Sequence, residues 1–471
     1  MTNTSETTRT ERDSLGVIAV PKDALYGAQT QRAVNNFHIS GQTLPAEFIQ
    51  AIALIKKTAA KANQSLKLLP DDQAAAIGRS AEQIIEGDFP GTYQSQFPID
   101  VYQTGSATSS NMNVNEVIAH LAKTHSDTEI TANDHVNMGQ SSNDVIPSAI
   151  HISAALLINH QLLPALDHLI SALNKREQEL NQVVKTGRTH LMDAMPVTFG
   201  QEISGWKALI QHDRIRLTQT LDRLYQLTLG GTAVGTGTNT HSEFAHTVCK
   251  ELSNETLLPF NPADNFFAAQ SVPASALELS SVLRSVATSL TKIANDLRWM
   301  NSGPLAGLGE IELPILQPGS SIMPGKINPV ISESVLMVAA QINGLDTAIT
   351  MGAQSGNFEL NVMLPMIGNN LISSLKLASN AANTLADKAI SGFKVKTQNI
   401  DSALYHNPVL VTALNPVIGY MKAAEIAKLA YSEQRPILDV AIEKTGMSKK
   451  ELSKLLDPLL LTEGGISKSP S

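Results

Sequence analysis

The 471-residue sequence has a single cysteine, Cys249, which excludes an internal disulfide framework, a thiolate zinc site and a cysteine-ligated iron–sulfur cluster. Cys249 is expected to be a small buried side chain. Aromatic residues are scarce, 4% of the chain against 42% hydrophobic residues overall, so Ala, Leu and Ile must build the core, and closely packed helices are favoured over aromatic-rich sheets. Basic charge is not in excess: 35 Lys and Arg stand against 43 Asp and Glu, a formal net charge of -8. That balance gives no electrostatic reason to expect a nucleic acid or an anionic membrane as partner, and an anionic substrate would need locally placed cations. No run approaches the roughly 20 uninterrupted apolar residues of a spanning helix. The first fifteen residues, MTNTSETTRTERDSL, lack the apolar core of a secretory signal and the Arg-rich, acid-poor character of a transit peptide. They are expected to be the frayed terminus of a soluble, cytoplasmic protein. No GxGxxG or Walker pattern follows a strand, so neither nucleotide cofactor class is supported.

What the sequence does have is helical periodicity. Leu162, Leu166, Leu169, Ile170 and Leu173 mark an apolar stripe that Pro164 either kinks or starts. Ile203, Trp206, Ile210, Leu217, Leu221 and Leu224 form a second stripe, and Leu279, Val282, Leu283, Val286, Leu290, Ile293 and Leu297 a third. Each of the last two runs about twenty residues, well past the ~11-residue average, and helices that long bury their faces against similar neighbours. A mainly α chain follows, in three domains: a mixed one at 1–141, a central helical bundle at 142–397 and a small helical one at 398–471. Apolar faces wider than one chain can cover point to an oligomer.

Four segments rich in Ser, Thr, Asn and Gly interrupt this background. TGSATSSNMNVNE, Thr104 to Glu116, can present Ser106, Thr108 and Asn111 to a carboxylate, or can simply be a capped helix start. GQSSNDV, Gly139 to Val145, holds Ser141, Ser142 and Asn143 ahead of the long helices. GRTHLMDA, Gly187 to Ala194, places Thr189 and His190 between helical stretches; with no second metal-type ligand at i+4, His190 suits proton transfer better than metal binding. In PGSSIMPGKINPV, Pro318 to Val330, Gly319 and Gly325 permit unusual backbone angles, Ser320 and Ser321 offer hydroxyls and Lys326 supplies a cation.

The block GSSIMPGKINP is similar to the signature of the fumarase/aspartase superfamily, and further blocks occur in order: DSLGVIAVPKDALYGAQTQRA, LGGTAVGTGTNTH and LNPVIGYMKAAEIAKLA. The resemblance runs nearly end to end. TGSATSSNMN, SGNFELNV and Gly325 of PGKINP resemble the class II fumarases, since aspartases typically carry Ala before that lysine.

This resemblance implies a three-domain fumarase/aspartase-like fold whose central long-helix bundle assembles into a tetrameric helical core, with active sites shared between subunits of a homotetramer. It implies a metal-independent lyase without cofactor that reversibly hydrates fumarate to (S)-malate by general acid/base anti addition, a step of the tricarboxylic acid cycle. Ser320 would take the carbon-bound proton, Lys326 and Asn328 would stabilise the developing dianion, and His190, oriented by Glu333, would serve the water. The carboxylate-binding set would be Ser106, Thr108, Asn111, Ser141, Ser142, Asn143, Thr189, Ser321, Lys326 and Asn328. Two positions depart from the pattern. Ala107 stands where fumarases usually have Gly, and Thr131 replaces the histidine of an accessory dicarboxylate segment, to which Thr131, Asn133 and Asp134 would belong. An aspartate ammonia-lyase, a lyase of a larger succinyl conjugate and a non-catalytic member of the superfamily are the alternatives.

Overall fold

The computed structural model describes residues 7–465, which are mainly α-helical; among them strands occur only as two-stranded pairs. The N-terminal segment corrects one expectation. From Thr8 it is an antiparallel hairpin, Thr8–Asp13 against Gly16–Pro21, not a frayed end. The turn closes because Asp13 Oδ1 accepts the Leu15 N–H at 2.9 Å and Gly16 takes a φ of +112°, where a side chain would be strained. Arg32 then pairs with Asp13 at 2.8 Å, and the Arg9 guanidinium donates to the carbonyls of Pro21 and Lys22 at 3.1 and 3.2 Å. Residues 1–6 of that expectation lie outside the described residues.

Contacts divide the chain into two compact units that interleave along the sequence. The first contains the chain up to Pro164, Arg214–Ala287 and Ala340–Ser379. The second contains Ala165–Asp213, Thr288–Ala339 and the chain from Asn380 onward. The divisions at 213, 287, 339 and 379 fall inside the long helices Phe199–Leu224, Ala274–Met300, Val330–Ala353 and Leu364–Leu385.

In the first unit the helix Ala46–Ser65 is buried on most of its circumference, with Phe48, Ile49, Ile52 and Ile55 at most 2% exposed. A helix buried over that much of its surface belongs at the centre of a core. Asp71–Glu86 packs on it; Asp71 and Asp72 complement its N-terminal dipole and Gly87, at φ +76°, ends it. Ser142–Leu157, which begins within the GQSSNDV segment, packs on the same central helix. The helical run Ser142–Glu179, a π-turn at Ile158–Leu162 included, is long and apolar enough to cross a membrane by length and composition, with mean hydropathy 1.3; 61% of its apolar window is buried. Pro164 lies at the second position of Leu163–Glu179, directly after the π-turn and within the continuous run, so it falls inside a helix and does not start one.

In the second unit Leu166, Leu169, Leu173, Phe199, Ile203, Trp206 and Ile210 are buried, as are Leu290, Ile293 and Leu297. Between the helices Leu163–Glu179 and Phe199–Leu224 the chain forms an antiparallel hairpin, Val184–Thr189 against Met192–Thr198. Towards the C-terminus Val411, Leu414, Ile426, Val440 and Leu452 form an apolar core of their own. The helix Tyr420–Glu433 realises the Ala-rich pattern KAAEIAKLAY. Cys249 is buried, and burial pushes its thiol up to about 12, so it is inert at neutral pH.

Candidate active site

Two of the four polar segments lie in the first unit. Thr108–Ala122 is a helix whose N-cap is Ala107, with φ +51° and no side-chain capping bond. The hydroxyls of this segment are therefore not consumed in capping. Instead Ser106 Oγ meets Thr108 Oγ1 at 2.8 Å, and Thr108 Oγ1 meets Ser142 Oγ at 2.7 Å. Gly105 lies so close to Val362 that a Cβ would stand 2.0 Å from its carbonyl oxygen, and Leu364 N donates to Gly105 O at 3.1 Å. SGNFELNV thus buttresses TGSATSS from behind.

Ser141 does act as a cap. Its hydroxyl accepts the Asn143 N–H at 3.2 Å, Asp144 Oδ1 accepts the Ser141 N–H at 2.9 Å, and the helix Ser142–Leu157 starts there. Asn143 Nδ2 donates to Ala233 O at 2.8 Å. Asp144 is wholly buried and its second oxygen accepts N–H groups of Gly230 and Thr232 at 3.1 and 2.9 Å, which fixes the LGGTAVGTGTN turn. Burial raises this carboxyl to about 6, against the lowering effect of those N–H donors and of Lys56. Lys56 is itself fully buried. Desolvation pushes its amine down to about 7 although Asp144 favours the charged form. Its Nζ donates to Asn137 Oδ1 at 3.0 Å and to Gln140 Oε1 at 2.8 Å, and Asn111 Nδ2 donates to the same Asn137 oxygen at 3.2 Å.

The accessory segment is a short π-helical turn, Ala132–Val136, capped by Thr131, whose Oγ1 accepts the Asp134 N–H at 3.2 Å. Asn133 and Asp134 are exposed. The Thr131 N–H donates to His135 Nδ1 at 2.9 Å, which leaves the imidazole proton on Nε2. An imidazole is therefore present beside Thr131, four residues further along than the pattern expects.

The other two segments lie in the second unit. His190 and Leu191, with φ of +55° and +61°, are the two central residues of the hairpin turn, so Thr189 and His190 sit exposed at its tip. Behind them Glu310 accepts from Arg188 at 2.5 Å and pairs with Lys185 at 2.9 Å; Lys185, 1% exposed, also pairs with Glu202 at 2.9 Å. Burial alone would raise the Glu310 carboxyl, but Arg188 and Lys185 outweigh it and hold the group below its usual range.

The loop from Pro318 closes on itself. Gly319 N donates to Lys326 O at 2.9 Å and Asn328 Nδ2 to Gly319 O at 2.6 Å; a Cβ on Gly319 would stand 2.4 Å from that Lys326 oxygen. Gly325 needs its freedom differently, for a φ of +82°. Ser320 Oγ accepts the N–H groups of Met323 at 3.0 Å and Ile322 at 3.3 Å, while Ser321 is exposed. Lys326, Asn328 and Glu333, the last in the first turn of Val330–Ala353, share a cleft of about 450 Å³ with Arg298 and Asn301.

Each unit thus gathers part of the predicted set. Ser106, Thr108 and Ser142 come together in one, with Ser141 and Asn143 in the adjoining turn and Asn111 bonded to Asn137, and Lys326, Asn328 and Glu333 in the other. Among the described residues no hydrogen bond joins His190 to Glu333 within the chain. Sequence reading misses Lys56, Asn137, Asp144 and Glu310. A lysine on the same helical face as Ile52, Ile55 and Ala59 is the available signal for the first.

Residues 16–344 match the family model described as Lyase, and residues 410–463 match one described as Fumarase C C-terminus. A protein of Pseudomonas aeruginosa named fumarate hydratase class II 2 is 56% identical over 459 residues, 98% of this chain and 99% of that protein. A fumarate hydratase class II of Xylella fastidiosa is 56% identical over 98% of this chain and 97% of its own length. Among solved structures, the class II fumarase of Schistosoma mansoni superposes with a TM-score of 0.92 at 35% identity, covering 97% of this chain and 99% of that one. Matched end to end in sequence and in fold, and carrying the lysine-bearing loop within the matched region, the chain belongs to the class II fumarases of the fumarase/aspartase superfamily.

Proposed function

We propose that the chain hydrates fumarate reversibly to (S)-malate through the residues just described, without metal or cofactor. The observation that carries this reading is the end-to-end similarity to fumarate hydratases together with every polar block of the site. The chemistry asks for a proton to be taken from carbon next to a carboxylate, which places a second negative charge on an anionic group. Preorganised donors at that carboxylate lower the barrier most. Lys326 and Asn328, in one cleft, suit this task. Ser320 is the base. A hydroxyl is a weak base unless its alkoxide is stabilised, and the Met323 and Ile322 N–H groups aimed at Ser320 Oγ supply part of that stabilisation. His190, oriented by Glu333, delivers or accepts the water from the opposite side, giving anti addition.

Ser106, Thr108, Asn111, Ser141, Ser142, Asn143, Thr189 and Ser321 complete the carboxylate-binding set, and Thr131, Asn133 and Asp134 form the accessory dicarboxylate site. Membership of the family carries a dicarboxylate substrate and an oligomeric enzyme. We further propose a cytoplasmic homotetramer in which the site is completed between subunits. The His190–Glu333 pair, unjoined within one chain, then forms across an interface. Three domains, 1–141, 142–397 and 398–471, remain the division we favour; the separate apolar core from Val411 to Leu456 supports the last.

Hydration in deuterium oxide tests the mechanism. Fumarate should yield malate deuterated at one position of C3 in a single configuration, read from the proton coupling constant; a mixture of both diastereomers would contradict an oriented base opposite the water.

A further inference from the structure

Lys56 serves a purpose that an ion pair with Asp144 does not explain. Its Nζ hydrogen bonds go to two amide oxygens, Asn137 Oδ1 and Gln140 Oε1, while the Asp144 oxygens accept backbone N–H groups of Ser141, Gly230 and Thr232. The carbonyl end of Asn137 faces the amine, and its Nδ2 donates to the Gln140 carbonyl at 3.1 Å, so the amine and that backbone oxygen hold the amide from its two ends. Asn137 Oδ1 then faces Asn111 and Asn115, which must turn their NH2 ends towards it, at 3.2 and 3.1 Å. Either amide reversed would bring two oxygens together. The orientation is imposed, because Asn111 Oδ1 and Asn115 Oδ1 are both left buried without a partner. Asn111 keeps one amide hydrogen beyond the one given to Asn137. Through Gln140, the residue before Ser141, the same amine also holds the start of the Ser141–Asn143 turn.

We infer that Lys56, acting through Asn137, is a positioning residue that sets the polarity of the Asn111 amide in the carboxylate cradle, an inference that rests on the reading of Asn111 as a carboxylate ligand. Lys56 touches no substrate. It fixes which end of a substrate-binding amide is a donor, and it does so from inside the core, where no solvent competes for its hydrogens.

The test is a double-mutant cycle on the assembled full-length enzyme: Lys56→Met, Asn137→Leu and the pair, with Asn111→Ala as reference. Each single variant should raise KM for fumarate about tenfold or more while kcat changes less, as expected when a group that binds ground and transition states alike is lost. The singles also leave buried polar atoms stranded, so their thermal midpoints should fall; the double variant removes both ends of the Lys56–Asn137 contact but still strands Gln140 Oε1 and the Asn111 and Asn115 amides, so it should recover only part of that stability, its midpoint falling by less than the sum of the singles. KM should not recover with it, because the relay is broken once or twice alike. If KM and thermal midpoint recover together in the double variant, Lys56 is structural only and the inference is overturned. Unchanged KM in the singles, with KM raised in Asn111→Ala, overturns it as well. Unchanged KM in Asn111→Ala would instead show that the underlying reading of Asn111 is wrong, and the inference falls with it. Should Lys56→Met fail to assemble, Asn137→Leu with Lys56 in place tests the same link.

Discussion

At the scale of single residues the assigned roles stand on groups whose surroundings define their task. Ser320→Ala removes the hydroxyl to which two backbone N–H groups point, and His190→Asn removes the imidazole at the hairpin tip. Each should lower kcat by roughly a hundredfold or more, the usual scale for losing a general acid or base, with size-exclusion elution unchanged; near-native turnover in either would refute its role. Ala107 illustrates why some departures matter little. A left-handed backbone costs Ala about 1–2 kcal/mol, but Gly would lose about 0.5–1 kcal/mol in chain entropy and the contacts of a buried methyl. Ala107→Gly should therefore shift stability by less than about 1 kcal/mol in a denaturant titration. The proposed catalytic groups are legible in the sequence because their residue types are clustered. Lys56 and Glu310 are not, because nothing in an Ala-rich helix or a Gly-rich loop shows which charge the fold will bury.

Between elements, the hairpin and the loop position the proposed catalytic groups. In the sequence the hairpin Val184–Thr189/Met192–Thr198 reads only as an interruption between helices, since its turn residues, His190 and Leu191, are not the Asn-Gly or Asp-Gly that usually announce such a turn. Buried Glu310 anchors its first strand through Lys185 and Arg188. Glu310→Gln leaves those two cations without their shared carboxylate and should cost about 3–5 kcal/mol in unfolding free energy. The carboxyl is held below its usual 4.5, so its contribution is present above that value and fades as pH falls through the folded-state value. A pH titration of the thermal midpoint should show this acid-side loss shrink in Glu310→Gln. In the loop the two glycines predict different outcomes. Gly319→Ala pushes a Cβ into the Lys326 carbonyl and should cut kcat/KM by roughly a hundredfold, whereas Gly325→Ala meets no atom within 4 Å and adds only backbone strain. Equal effects from the two would deny that Gly319 sets the position of Lys326.

For the whole molecule, helix content and the long central helices are legible from periodicity, because apolar stripes of that length and spacing arise in little besides long packed helices. The interleaving of two units along the chain is not, since a helix shared by both carries no break in its pattern. Leu209, Ile215, Met337 and Met351 remain exposed on those helices, consistent with further burial between copies. Subunits of Ser320→Ala and His190→Asn, each nearly inactive alone, should regain activity when refolded together if their sites are shared. The central claim is the reaction itself, and absorbance of the fumarate double bond reads it directly. With chelator-treated protein, absorbance should rise when malate is supplied and stay flat with aspartate. A rise with aspartate alone, or none with either, would contradict that claim.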